Sequence, residues 1–178
     1  MKKFIIVAVF FCTISITGAH AQEIVKGSGA INLGLGVTNG IGVTPGFGIN
    51  FSYDYGVIDN WGDGIFTVGG FAGFNNWGNT YFHKNKSNKY RNTIFAFAPR
   101  ATYRYVIEEP FEIYGAFMMG VCFVRDKYDP DNYKNNHFGP FWGLAAGGRY
   151  YLARNAALFA ELGFNPSGII NVGMSFTL

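Results

Sequence analysis

Six charged residues stand singly in segments that are otherwise aromatic, aliphatic or small. They are three acids and three bases, namely Asp54, Arg100, Arg104, Glu112, Arg149 and Glu161. Opposite charges that pair inside a protein are costly to separate, because removal of one partner leaves the other buried and uncompensated. The same groups along a channel would provide a gated or proton-conducting path. We favour structural pairing, and both interpretations require elements that bring the six together.

Catalytic and metal-binding chemistry finds little support in the sequence. An enzyme that modifies lipids by acyl transfer or hydrolysis would need a hydroxyl nucleophile beside a histidine base and an acid. His83 and His137 instead lie in polar stretches, and neither sits in a strand pattern with a nearby serine. No His, Cys or carboxylate group has the spacing of metal ligands. The sequence therefore predicts no enzyme, no metal site and no cofactor.

The first 21 residues have the features of a secretory signal peptide. Two lysines precede an apolar run from Phe4 to Ile16, and Ala19-His20-Ala21 fits a cleavage site. We therefore predict a signal peptide at 1–21 and one domain at 22–178. Without the two signal lysines, the 14 basic residues become 12 against 11 acidic ones, so nothing favours nucleic acid as a partner. Cys122 then has no cysteine to pair with and is predicted to be a small buried residue.

Alternation with period two predicts β-strands. In "IINVGMSFTL" and "INLGLGVT", apolar residues alternate with small or polar ones, which is typical of membrane-spanning strands with one face toward lipid. Six further strands are predicted at Gly46–Tyr55, Ile65–Phe74, Ile94–Tyr105, Phe111–Val124, Phe141–Leu152 and Ala157–Phe164. The strand at Ile65–Phe74 is ambiguous, because Phe66 and Phe71 fall on opposite faces. Pro99 cannot donate a ladder hydrogen bond and predicts a bulge or local break.

The connections predict which way the strands run. Short turns follow the second, fourth and sixth strands, whereas long polar stretches at 75–92 and 125–137 follow the third and fifth. Short periplasmic turns and longer external loops are typical of outer-membrane barrels. The fold class is therefore an all-β, single eight-stranded antiparallel up-and-down transmembrane barrel.

Aromatic residues at the strand ends support this placement. Tyrosine and tryptophan favour the membrane interface, where the ring contacts hydrocarbon and the polar group keeps water. The predicted periplasmic girdle contains Tyr53, Tyr55, Tyr103, Tyr105 and Tyr150. Phe74, Phe95, Trp142 and Phe164 are predicted near the outer interface.

The same map places all six charges in the lumen and none toward lipid. A turn centred near Asn155 predicts Arg149 opposite Glu161, and one near Glu108 predicts Arg104 opposite Glu112. Asp54 and Arg100 are expected to complete the network across the lumen. Because side chains can fill an eight-stranded barrel, balanced charges predict a plug rather than a wide pore.

Three segments resemble the small outer-membrane barrels of the OmpA/OmpX-like kind, especially the short barrels of Bacteroidetes-type bacteria. They are "FSYDYGVIDNWGDG", "FAPRATYRY" and "GGRYYLARNAALFAELGFNPSGIINVGMSFTL". The resemblance implies an eight-stranded barrel in the outer membrane of a Gram-negative bacterium. It also implies roles in envelope integrity, adhesion or surface defence, and contact with the barrel assembly machinery. No activity follows from it.

Three classes of function stay open at this point. A structural or adhesive barrel, expected to be monomeric, is favoured over a small pore for ions or solutes. A secreted barrel for an apolar ligand would invert the faces, and six charges are too few for its wet exterior. The sharpest binding hypothesis concerns Lys84, Lys86, Lys89 and Arg91, whose stretch also carries aromatic residues and no acid. Clustered cations of this kind suit lipopolysaccharide phosphates or another anionic partner, whereas the stretch from Arg125 to Lys134 mixes both signs and predicts a solvated turn.

Overall fold

The computed structural model describes residues 25–38, 46–83, 86–128 and 133–178. Eight antiparallel strands form one closed barrel in which each strand pairs with its sequence neighbours and β1 pairs with β8. The strands are β1 (Gly29–Thr38), β2 (Gly46–Trp61), β3 (Gly64–His83), β4 (Lys86–Glu108), β5 (Phe111–Tyr128), β6 (Tyr133–Ala153), β7 (Ala156–Asn165) and β8 (Gly168–Thr177). The predicted fold class is confirmed. No helix among the described residues has the length and apolar character to cross a membrane.

The predicted strand centres are right, but several strand ends are wrong. β3 and β4 continue as a paired hairpin to His83 and Lys86, and β5 and β6 continue to Tyr128 and Tyr133. Most of the two polar stretches predicted as loops is therefore strand, and both histidines lie in strands. The alternation disappears there because neither face of these segments is apolar, while the backbone ladder continues regardless of side chain.

Tight turns close the opposite end of the barrel. Gly62 and Asp63, between β2 and β3, both have positive φ. Two such residues in succession form the type I′ turn whose twist matches that of a β-hairpin. This end carries the three short connections and is the one predicted to face the periplasm.

Pro99 produces the predicted local break without a bulge. It stays in register with Gly70 on β3. The β4–β5 ladder omits Ala98 and Pro99 and resumes in unchanged register at Arg100 opposite Met118. Because proline has no N–H to donate, β4 loses its pairing with β5 at these two residues, and the register of the ladder is unchanged.

The outer face of the barrel is apolar. Leu33, Ile49, Phe97, Leu162 and Val172 are all exposed, whereas the alternate residues point inward. Phe71 resolves the ambiguous strand, since it is buried in the lumen. The inverted barrel with an apolar interior and a wet exterior is therefore wrong for this chain.

The aromatic residues of the outer face lie at both rims. On β4, Phe95 and Tyr105 are ten residues apart, which is roughly 33 Å along the strand and roughly 25 Å along the barrel axis at the usual tilt. That matches the height of an outer-membrane apolar band. At the upper rim Phe74 packs on Phe95 with ring centroids 4.9 Å apart, and Phe123 packs on Phe138 at 4.8 Å.

Candidate functional site

The six predicted lumen charges are buried together inside the barrel. Each is at most 4% exposed, and they come from five strands, β2, β4, β5, β6 and β7. Strand alternation accounts for this placement, because every one of them occupies an inward position. We refer to these six residues with Tyr114 as the charged layer.

Asp54 lies at the centre of the charged layer. Its Oδ2 accepts hydrogen bonds from Arg104 Nη2 at 2.7 Å and from Asn32 Nδ2 at 2.9 Å. Arg149 Nη2 is 3.4 Å from the same oxygen, and Arg100 Nε is 3.4 Å from Oδ1. One carboxylate therefore contacts three guanidinium groups, which joins strands that are not neighbours in the sheet.

The other two carboxylates balance the remaining positive charge. Glu112 Oε1 lies 3.3 Å from Arg104 Nη1 and 3.4 Å from Arg149 Nη1. Glu161 Oε1 accepts hydrogen bonds from Arg100 Nη2 at 2.5 Å and from the Tyr114 hydroxyl at 2.9 Å. The guanidinium carbon of Arg149 is 4.9 Å from the Tyr114 ring centroid. Three acids and three bases leave the layer with no formal net charge.

The predicted pairing of Arg149 with Glu161 is wrong. The β6–β7 register shifts between Tyr151 and Ala153, so Arg149 lies opposite Phe159 and Glu161 lies opposite Gly147. Arg149 instead lies directly opposite Glu112 across the β5–β6 ladder. A two-residue offset near the turn is enough to remove the predicted pairing.

The predicted pairing of Arg104 with Glu112 needs a smaller correction. A register shift between Val106 and Glu108 places Arg104 opposite Tyr114 rather than opposite Glu112. The Arg104 side chain still reaches Glu112, but diagonally, at 3.3 Å. Arg100 and Asp54 meet across the lumen as expected, at 3.4 Å.

An apolar layer that the sequence reasoning missed lies next to the charged layer. Phe71, Ala98 and Met118 are buried and pack together, with Phe141 against them. On β3, Gly69 lies beside Arg100, and Phe71 follows one inward position further toward the long hairpins. Inward alternation of Met118 on β5 was the signal that could have revealed this layer.

A third, polar layer fills the lumen toward the long hairpins. The β7–β8 turn folds inward so that Ser167 is fully buried. Asn50 Nδ2 donates to Asn171 Oδ1 at 2.9 Å and to Ser167 Oγ at 3.1 Å, and Asn75 Nδ2 donates to the Ser167 carbonyl at 2.9 Å. We call Asn50, Asn75, Ser167 and Asn171 the amide layer.

Glycines make room for this inward turn. A Cβ at Gly48 would lie 1.9 Å from the Ser167 carbonyl oxygen, and one at Gly36 would lie 2.3 Å from it. The Asn165 side chain fixes the turn by accepting a hydrogen bond from the Ser167 amide at 3.0 Å, a local geometry that asparagine favours. The space beside the inward-facing Gly36 of β1 and Gly48 of β2 is thus occupied by another part of the chain.

The residues considered for catalysis do not form a site in the described part of the chain. His137 is largely exposed, and its Nε2 lies 3.7 Å from Asp126 Oδ2. The side chain of His83 lies outside the described residues. No group of three His, Cys, Asp or Glu residues in the described ranges could hold a metal. Cys122 is half-buried and free.

The structure describes only some of the residues that are predicted to bind an anion. Lys84 lies outside the described residues, and so do the side chains of Lys86 and Lys89, whose backbone begins β4. Arg91 is exposed on the outer face of β4. The stretch predicted as a solvated turn from Arg125 is largely strand, belonging to β5 and β6.

The tyrosines of the predicted periplasmic girdle all occupy outward positions near the short turns. Tyr55, Tyr103, Tyr105 and Tyr150 are exposed, and Tyr53 is partly exposed. Trp142 and Phe164 are exposed at the other rim. The predicted signal peptide, by contrast, lies outside the described residues and stays a prediction.

Comparison with known protein families shows the family to which the chain belongs. The family described as outer membrane protein beta-barrel domain matches residues 4–171. The chain belongs to this family. A comparison with curated proteins finds no match. The sequence resemblance to small outer-membrane barrels is therefore confirmed at the level of the family, and the outer membrane is the location that the family indicates.

Two of the solved structures similar to this outer-membrane barrel, the OprF domain and Neisserial surface protein A, support the fold. The N-terminal β-barrel domain of Pseudomonas aeruginosa OprF has a TM-score of 0.52 at 13% identity, with 86% of this chain and 98% of that chain covered. Neisserial surface protein A has a TM-score of 0.52 at 13% identity, with coverage of 85% and 94%. Ail of Yersinia pestis, solved with the heparin analogue sucrose octasulfate, has a TM-score of 0.49 at 13% identity, with coverage of 85% and 96%. At this identity the likeness concerns the fold.

Proposed function

We propose that this outer-membrane barrel is a sealed, non-catalytic envelope protein that acts through its external surface rather than through its lumen. The observation that carries the proposal is the filling of the lumen by three successive layers, charged, apolar and amide. Each layer is built from buried side chains that contact one another inside the barrel.

Each layer opposes conduction for a different physical reason. In the charged layer, a passing ion would have to displace guanidinium groups held at 2.5 to 3.4 Å from their carboxylates. In the apolar layer it would lose hydration without gaining polar partners, at a cost of several kcal/mol or more. In the amide layer the buried Ser167 occupies the space between Gly36 and Gly48. The proposal is therefore a plug, with the small pore as the alternative outcome.

Single-channel recording in planar bilayers tests the seal. The wild-type barrel is expected to give no discrete conductance steps. A variant with Phe71→Ala and Met118→Ala, which empties the apolar layer, serves to show that the recording detects a loosened lumen. Inserted barrel with heat-modifiable gel mobility must be present in both samples. Reproducible steps from the wild-type protein would establish the pore instead.

We further propose that the tip of the β3–β4 hairpin contacts anionic groups of the cell envelope or of a partner surface, through Lys84, Lys86 and Lys89 with Arg91 nearby. The support is that Lys86 and Lys89 lie in the first part of β4, beyond Phe95 of the outer aromatic rim, and that 75–92 contains no acidic residue. Attraction between exposed charges is screened by salt. Binding of the barrel to lipopolysaccharide or to a soluble sulfated polysaccharide should therefore weaken as salt increases.

Replacement of Lys84, Lys86 and Lys89 by glutamine tests the hairpin. The matched control is Lys26→Gln with Arg154→Gln, which removes two exposed cations at the periplasmic end. Binding to the polysaccharide should fall in the hairpin variant and not in the control. Equal binding by both variants would exclude an adhesive role for the hairpin tip and would leave the sealed barrel without this contact. We expect both variants to fold as monomers in neutral detergent. The assembly machinery of the outer membrane is not needed under these conditions.

A further inference from the structure

At the external end of β4 and β5, the described cations lie on the outer face of the barrel wall and the described acid lies on the inner face. Arg91 lies opposite Lys127, and Thr93 lies opposite Arg125. All three cations are exposed on the outer face, in line with Phe95 and Phe123. We call Arg91, Arg125 and Lys127 the outer basic cluster.

The acid of this segment is turned away from the cluster. Asp126 stands between Arg125 and Lys127 in sequence, but alternation points it inward. Its Oδ1 accepts hydrogen bonds from the Tyr90 hydroxyl at 2.7 Å and from Asn92 Nδ2 at 2.6 Å. Within the described residues, no carboxylate forms an ion pair with a member of the outer basic cluster. Among the charges that the structure describes in this stretch, those on the outer face are therefore all positive.

The cluster surrounds a depression that carries polar groups. A hollow of about 230 Å³ is lined by the three cations together with Asn76 and Thr93. Asn76 Nδ2 donates to Thr93 Oγ1 at 2.7 Å, so the floor between the cations is polar. Directly opposed residues such as Arg91 and Lys127 have Cβ atoms ~5 Å apart, and like charges at this distance destabilise the pair. An anion seated between the cations would remove that repulsion.

The height of the outer basic cluster relative to the outer aromatic rim indicates that a lipid headgroup would supply the anion. Arg125 lies two residues beyond Phe123, roughly 7 Å along the strand from the outer aromatic rim. Aromatic rims mark the boundary between hydrocarbon and headgroups. Side chains just outside this boundary on a lipid-facing wall meet headgroup phosphates, for which arginine provides matched pairs of donors.

We propose that the outer basic cluster binds a phosphate group of an outer-leaflet lipid, laterally and at the wall of the barrel. The inference rests on the proposed role of the external surface, and it assigns that role a second site, which lies on the barrel wall below the hairpin tip and includes Arg91. Arg91 and Lys127 hold the phosphate between them, and Arg125 contacts it from the side of the aromatic rim. Asn76 and Thr93 provide neutral hydrogen-bonding groups below.

Binding of fluorescently labelled lipid A to the mature barrel in neutral detergent micelles tests this site. The wall variant carries Arg91→Gln, Arg125→Gln and Lys127→Gln. Each removed cation is expected to weaken binding about fivefold, as for basic residues at an anionic membrane surface, and the triple variant roughly a hundredfold. Dephosphorylated lipid A should bind the wild-type barrel as weakly as phosphorylated lipid A binds the wall variant.

Two further variants separate this site from the hairpin. The hairpin variant Lys84→Gln, Lys86→Gln and Lys89→Gln should keep the affinity for lipid A, as should the control Lys26→Gln with Arg154→Gln. All variants must show the heat-modifiable mobility of a folded barrel. Loss of lipid A binding only in the wall variant supports the site, even if the hairpin fails to bind polysaccharide.

Three results would overturn the inference. The first is wild-type affinity of the wall variant for lipid A. The second is a loss that occurs in the hairpin variant instead, which would assign the lipid contact to the tip. The third is displacement of lipid A by millimolar inorganic phosphate, which would mean that the cluster takes free phosphate rather than a lipid headgroup.

Discussion

Replacement of Arg100 and Glu161 by apolar residues, singly and together, measures the coupling free energy between the two. Their ion pair is the shortest described in the lumen. Arg100 Nη2 is 2.5 Å from Glu161 Oε1, and both side chains are almost fully buried. Removal of one partner leaves an uncompensated buried charge, which costs about 3–5 kcal/mol. Arg100→Met and Glu161→Leu should therefore each lower the free energy of unfolding by that amount.

The double variant should lose less than the two single variants combined, because no unpaired charge remains. Asp54 still contacts Arg104 and Arg149 after Arg100 is replaced. We expect a coupling energy of at least about 2 kcal/mol, in the range found for residues of one buried network. The assay is equilibrium unfolding in urea with the barrel in phospholipid vesicles, followed by tryptophan emission.

A second cycle with Arg149→Met and Glu161→Leu is the matched control. Arg149 and Glu161 make no direct ion pair and are linked indirectly, through Tyr114 and through Asp54 and Arg100, so their coupling should stay below about 1 kcal/mol. The two cycles test the register of β6 and β7 directly. Coupling between Arg149 and Glu161 that equals or exceeds that between Arg100 and Glu161 would refute the assigned pairing.

Two further predictions concern the filling of the lumen. Gly48→Ala should destabilise the barrel by several kcal/mol, because its Cβ would meet the Ser167 carbonyl oxygen at 1.9 Å. Gly70→Ala is the control and should be neutral, since no atom lies within 4 Å of the added Cβ. Equal unfolding midpoints of the two variants would disprove the inward turn. Met118→Ala should cost about 2–5 kcal/mol in the same urea assay, because Met118 is fully buried against Phe71. A loss within the error of the measurement would mean that the apolar layer is not packed.

Much of the fold follows from alternation alone. In β8, Val172 and Met174 face outward while Asn171 and Ser175 are buried, as period two predicts. The membrane requires this regularity, since a charge on the lipid face at mid-bilayer costs about 2–4 kcal/mol. The same rule places Arg149 and Glu161 in the lumen without any knowledge of their partners.

Partners and strand ends could not be predicted for physical reasons. A register shift beside Leu152 places Arg149 opposite Phe159 instead of Glu161, while Glu112 faces Arg149 from β5. Such irregularities depend on turn geometry that alternation does not encode. The hairpin extension to His83 leaves no signal because both of its faces are polar. The burial of Ser167 depends on space left by Gly36 and Gly48, which lie far away in sequence.

The direction of the side chains in the wall is tested most directly by nitroxide labels along β7. Cys122→Ser removes the one cysteine of the predicted mature chain, after which single cysteines at Ala157, Leu158, Phe159, Ala160 and Leu162 can be labelled in lipid vesicles. Collision rates with oxygen, which dissolves in acyl chains, should be high at Leu158, Ala160 and Leu162. Labels at Ala157 and Phe159 should collide little with either oxygen or a water-soluble nickel chelate, since these positions face a filled lumen. Equal oxygen rates at all five positions, or strong nickel collisions at the inward ones, would contradict a sealed barrel with its charges inside.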